Sequence, residues 1–154
     1  MENEMIVPET KIHSSSEKET FEFAKKLGQS ARKGSVYGLI GDLGAGKSVF
    51  ARGFAQGLGV TEYVSSPTFN ILNCYETGRL ALYHFDVYRI EDPDEMYETG
   101  FDEYLGGDGI CLIEWSDMIR ELMPEGYIRV ELTKDPDDIV SGRWIRIREE
   151  GTKK

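Results

Sequence analysis

Residues Gly41–Ser48 read GDLGAGKS and fit the pattern G-x-x-x-x-G-K-[ST]. No other stretch of this chain constrains the fold so tightly, because the pattern needs a strand before it and a helix after it. Ser35–Ile40, SVYGLI, is a short apolar run of strand character. VFARGFAQGLG carries a helix from near Lys47 to Gly57 or Gly59. Gly41, Gly44 and Gly46 open backbone conformations closed to residues with a Cβ. The N–H groups of Asp42, Leu43, Gly44, Ala45 and Gly46 can then turn inward toward phosphate oxygens. The helix start adds its positive dipole end. Lys47 supplies a full charge to the outer phosphates, and Ser48 offers a hydroxyl to Mg²⁺. A glycine-rich turn with a chance GKS is disfavoured by the strand before it and the helix after it.

The remaining elements build a domain around that loop. Met5–Val7 is a short strand candidate ended by Pro8. Ser16-x-x-Glu19 is a capping box, and Phe21, Ala24 and Leu27 share one face of the helix that follows, which Gly34 ends. After the turn-rich TEYVSSPTF, the runs 69–75 and 80–88 flank ETGR as an antiparallel hairpin. Asp92-Pro93-Asp94-Glu95 opens a short helix. Ile110–Ile113 is an apolar strand ending at Glu114, and the runs 127–132 and 144–148 pair around KDPDDIVSG. The expected fold is α/β: a three-layer, P-loop NTPase-like domain over residues 1–154, with a parallel central sheet and antiparallel edge hairpins.

Charge and cysteine content narrow the setting. The net charge of −10 and the lack of a basic stripe argue against direct nucleic-acid binding, which needs clustered Lys and Arg. An acidic surface suits docking on a basic protein patch. Cys74 and Cys111 each sit in an apolar run and read as reduced core thiols of a cytoplasmic protein. The N-terminal MENEMIVPET has no apolar signal core, and no apolar run reaches the roughly 18 residues of a membrane helix.

A phosphate loop calls for a carboxylate at the end of a neighbouring strand, and Glu114 has that position. In YHFDVYR, residues two apart share a face, so His84, Asp86 and Tyr88 point one way and Tyr83, Phe85 and Val87 the other. His84 alone reads as a structural hydrogen-bonder. Asp86 is the candidate to orient an attacking water or support the metal shell. Ser66 and Thr68, in SSPTF, lie where a loop could sense the γ-phosphate, and a plain turn fits them better on spacing alone. Trp115 is either core filling or an aromatic contact. Thr133-Lys134-Asp135-Pro136 imitates a guanine motif but has Pro where Asp is required. That leaves ATP as the nucleotide.

GDLGAGKS followed by RG, SPTF, YHFDVYR and ICLIEW, in this order, resembles the bacterial TsaE (YjeE) family over roughly residues 35–132. The resemblance implies an ATPase that regulates or resets the TsaB–TsaD pair in threonylcarbamoyladenosine modification of tRNA, with tRNA held by the partners and no membrane. It implies Lys47 on phosphate, Ser48 and Glu114 on Mg²⁺, and Asp86 in the hydrolytic site. Trp115 matches the family's tryptophan after the strand-end Glu, Arg143 its Gly-Arg pair near the nucleotide, and Glu17 flanks the adenine. Ser48 stands where many members have Thr; either hydroxyl can bind Mg²⁺. Two other activities fit the same residues: a small-molecule kinase with a P-loop, and a nucleotide-gated binding module without significant turnover.

Overall fold

The computed structural model describes residues 9–42, 44–65 and 71–150. The strand expected at Met5–Val7, and Leu43, Ser66 and Thr68 of the expected site, lie outside the described residues. Seven strands form one sheet: β1 (Thr10–Ser14), β2 (Val36–Gly41), β3 (Leu72–Tyr75), β4 (Leu82–Asp86), β5 (Ile110–Glu114), β6 (Ile128–Asp135) and β7 (Asp138–Glu149). Their spatial order is β1-β7-β6-β2-β5-β4-β3. The centre, β6-β2-β5-β4, is parallel. Antiparallel β3 closes one side, and β7 followed by β1 the other.

Side chains alternate across the sheet and divide the core in two. Tyr37, Leu39, Leu82, Leu112 and Val130 face the helices α1 (Glu17–Ser30) and α2 (Lys47–Gly57). Val36, Phe85, Cys111 and Ile113 face a layer of short helical segments, Pro93–Thr99, Phe101–Tyr104 and Ser116–Leu122. The first of these is 3₁₀ in form and is opened by a capping box between Asp92 and Glu95. These three layers are the expected P-loop NTPase-like arrangement.

Several local expectations are corrected. The Ser16 side chain does cap α1 by accepting from the Glu19 N–H, at 3.1 Å. The Glu19 carboxylate accepts from Ser15, one residue earlier than a standard box. The buried stripe of α1 is Thr20, Ala24 and Gly28, with Phe21 and Leu27 only half-buried. Small residues line the contact because α1 and α2 touch backbone to backbone: a Cβ on Gly53 would lie 2.4 Å from the Phe21 carbonyl oxygen. The helix ends at Ser30 rather than at Gly34. There the Arg79 guanidinium donates to the carbonyls of Gly28, Gln29 and Ala31 at 2.8–2.9 Å, supplying the cation that the last turn of α1 lacks.

Much of KDPDDIVSG is strand, because the β6–β7 turn is confined to Pro136 and Asp137, where the Asp135 carboxylate accepts from the Asp137 N–H. The strand β1 has no strong apolar pattern and exists through its pairing with β7. Cys74 is exposed, not a core thiol, because β3 is the edge strand; Cys111 is buried, and burial pushes its thiol up to about 12. Among the described residues no helix is long and apolar enough to cross a membrane.

Candidate nucleotide site

The strands β2, β4 and β5 run parallel and finish together, so Gly41, Asp86 and Glu114 arrive at one end of the sheet. Asp86 and Glu114 are direct cross-strand partners. Between Gly41 and α2 the chain makes a tight turn in which Gly44 has φ +80° and Gly46 φ +105°, both left-handed. The first turn of α2 then sets Lys47 and Ser48 beside the two carboxylates. A cleft of about 310 Å³ is lined by Glu17, Gly44, Gly46, Lys47, Ser48, Asp86, Glu114 and Trp115. An adjoining hollow joins Glu17 and the same loop to Val140 and Arg143. Nearly all the described residues expected to touch nucleotide or metal therefore converge.

Lys47 is buried, and its ammonium donates to the carbonyls of Gly41 and Asp42, its own loop. It also lies 4.2 Å from the centroid of the Trp115 ring, a cation–π distance. Burial lowers the Lys47 pKa, against the opposing pull of Glu114, Asp42, Asp86 and Asp117. Trp115 is the one non-glycine residue with positive φ among those described, at 63°. That left-handed step costs on the order of 1–3 kcal/mol. It turns the indole back over Lys47 and against Tyr88, at 4.6 Å between ring centroids. The aromatic contact, not core filling alone, describes this tryptophan.

Glu114 is 3% exposed and accepts from His84 Nε2 at 2.6 Å. His84 is thus a hydrogen-bonder, as the sequence suggests, but its partner is the carboxylate at the centre of the site. His84 Nδ1 has no hydrogen-bond partner among the described residues. Asp86 accepts from the Tyr88 N–H at 3.0 Å. Its pKa is raised, foremost by burial and also by Glu114, while the Tyr88 N–H, His84 and Lys47 pull it down. Arg143, which lines the adjoining hollow, donates to the carbonyls of Ala45 at 3.1 Å and Gly44 at 3.0 Å and so ties the loop to β7. The His84–Glu114 contact and the Arg143 clamp were not readable from local pattern. The parallel register of β4 with β5 makes the first, and the β6–β7 hairpin makes the second.

No group of three or more His, Cys, Asp or Glu side chains capable of holding a metal exists among the described residues. One hydroxyl and one or two carboxylates are instead the donor set of a Mg²⁺ that completes its shell with waters and substrate phosphates. Strand, glycine turn and helix, at the carboxyl end of a parallel-centred sheet, define a P-loop NTPase-like protein. The family model for the threonylcarbamoyl adenosine biosynthesis protein TsaE matches residues 14–143. The TsaE protein of Bacillus subtilis is 48% identical over 120 residues, 78% of this chain and 75% of that protein. The TsaE protein of Treponema pallidum is 40% identical over 119 residues, 77% of this chain and 87% of its own length. The crystal structure of Bacillus subtilis YdiB superposes with a TM-score of 0.81 at 38% identity, over 97% of this chain and 90% of that one. The chain belongs to the TsaE family of tRNA threonylcarbamoyladenosine biosynthesis proteins.

Proposed function

We propose that this protein is a Mg²⁺-dependent ATPase that regulates or resets the TsaB–TsaD pair during threonylcarbamoyladenosine modification of tRNA. The observation that carries the reading is the convergence of Lys47, Ser48, Asp86 and Glu114 on one cleft at a helix start. Lys47 exchanges its loop carbonyls for phosphate oxygens, and the N–H groups from Asp42 to Ser48 enclose the same phosphates. Ser48 and Glu114 would hold Mg²⁺, which when bound neutralises charge on the phosphate oxygens. The Glu114 carboxylate is oriented for this by His84. Asp86, with its raised pKa, orients the attacking water. Trp115 covers Lys47, and Arg143 keeps the loop in shape. Glu17 and Val140 flank the space beside the loop where the base would lie.

The net charge of −10 supports a protein partner rather than direct tRNA contact. Phosphate release, measured with and without TsaB–TsaD, tests the proposal. Release that rises with the partner pair is expected. ATP loss that depends on a small-molecule acceptor would make it a kinase. Nucleotide-dependent partner binding without turnover would make it a binding module. A gel shift of tRNA with this chain alone should show no complex at physiological salt.

A further inference from the structure

Thr133-Lys134-Asp135-Pro136 fails as a guanine motif, yet its lysine comes to the glycine loop. Strand β2 ends at Gly41, opposite Leu132 of β6. Lys134 stands two residues further along β6, on the same face as Val130 and Leu132, which is the face turned toward α1 and α2. The loop leads from β2 to α2 on that side of the sheet. A Cβ placed on Gly44 would lie 3.5 Å from Lys134 Nζ and 3.8 Å from its Cε. The ammonium therefore rests beside the backbone of Gly44, which lines both the phosphate cleft and the adjoining hollow.

Two other cations at the loop are already engaged. Lys47 donates to the carbonyls of Gly41 and Asp42, and Arg143 to those of Gly44 and Ala45. Lys134 is exposed and makes no ion pair or hydrogen bond among the described residues. The carboxylate next to it in sequence, Asp135, is taken up by His13 at 2.8 Å. Lys134 is also the direct cross-strand partner of Arg143. Like charges placed opposite each other on adjacent strands repel. An anion lying along Gly44 relieves that repulsion and gives the Lys134 ammonium the acceptor it lacks.

We propose that Lys134 is a second phosphate-binding cation of this site, serving the sugar-proximal phosphates of the nucleotide while Lys47 serves the outer ones. The choice of phosphates follows from Gly44, where the hollow beside the loop meets the phosphate cleft. The proposal rests on the ATPase reading of that cleft. The test is calorimetric titration of the full chain with ADP and with ATP, each with Mg²⁺, for the parent and two variants. Lys134→Met keeps most of the stem and removes the charge. It should weaken ADP and ATP by the same factor, about three- to tenfold, a smaller loss than that of the buried Lys47 because solvent screens an exposed ammonium. The difference from the parent should narrow as ionic strength rises, and the melting temperature without nucleotide should not change. Lys134→Arg keeps the charge and should bind closer to the parent than Lys134→Met does. Equal ADP affinity in the parent and Lys134→Met, a difference that ignores salt, or a loss confined to ATP would overturn the proposal and leave the ATPase reading standing. A parent chain that binds neither nucleotide would overturn the ATPase reading and the proposal with it.

Discussion

Gly53→Ala isolates the contact that holds α1 onto α2. A Cβ at this position would lie 2.4 Å from the Phe21 carbonyl oxygen and 3.1 Å from the Ala24 Cβ. The nearest atom is helix backbone, so it cannot rotate away. Relief needs α1 to shift by roughly 0.6–1 Å, the difference between this separation and an ordinary tight contact, which belongs near the top of the ~1–3 kcal/mol range for overpacking. Helix propensity opposes this, because Ala is favoured over Gly in a helix interior by about 1 kcal/mol. The net destabilisation is about 2 kcal/mol. At ~2–4 °C per kcal/mol for a domain of this size, the melting temperature should fall by about 4–8 °C. Thermal melts of Gly53→Ala and of Gln56→Ala, an exposed neighbour on α2, provide the measurement. The neighbour should stay within ~0.5 kcal/mol of the parent. A Gly53→Ala melting temperature equal to or above the parent would show that the helices are not locked at this distance, and the account of the interface would fail.

Lys47→Ala should weaken ATP binding about ten- to hundredfold, the loss of a charge-assisted phosphate contact worth ~1.5–3 kcal/mol, in a titration of folded protein. Glu114→Gln keeps shape but removes charge, so Mg²⁺-dependent turnover should fall; Asp86→Asn should lower turnover more than ATP affinity, and wild-type turnover of Asp86→Asn with the partner pair would displace that residue from the mechanism. The raised pKa of Asp86 means that the folded state holds its proton more tightly than the unfolded chain. The ligand-free protein therefore loses stability as pH rises from the ordinary aspartate value of 3.8 through the raised one. Asp86→Asn should accordingly melt higher than the parent at pH 7, with the gap closing toward pH 4.

What the sequence discloses here is what short stretches decide for themselves. The loop, the Ser16 cap, the ETGR hairpin and the apolar run ending at Glu114 each carry their own pattern, and each lies where the pattern puts it. Alternation in YHFDVYR places His84 and Asp86 on one face, and the structure keeps them there. The features that escape are made by distant pairing. TKIHS becomes β1 only because β7 offers it an edge. Cys74 looks like core in an apolar run and is exposed because its strand is the outermost. The end of α1 is set by Arg79, some fifty residues on. The left-handed turn at Trp115 has no glycine to announce it.

The Arg143 clamp also fixes an order of events during synthesis. Its contact to Ala45 spans 98 residues, and β2, the strand that leads into the loop, pairs with β5 and β6, both translated after it. At roughly 5–20 residues per second, a nascent loop waits on the order of 5–20 s for the arginine that holds its carbonyls. Until then the carbonyls of Gly44 and Ala45 lack the donor that holds them in the folded chain. A ribosome-bound chain halted before Arg143 should therefore ignore nucleotide, and competence to bind should appear abruptly with the last hairpin.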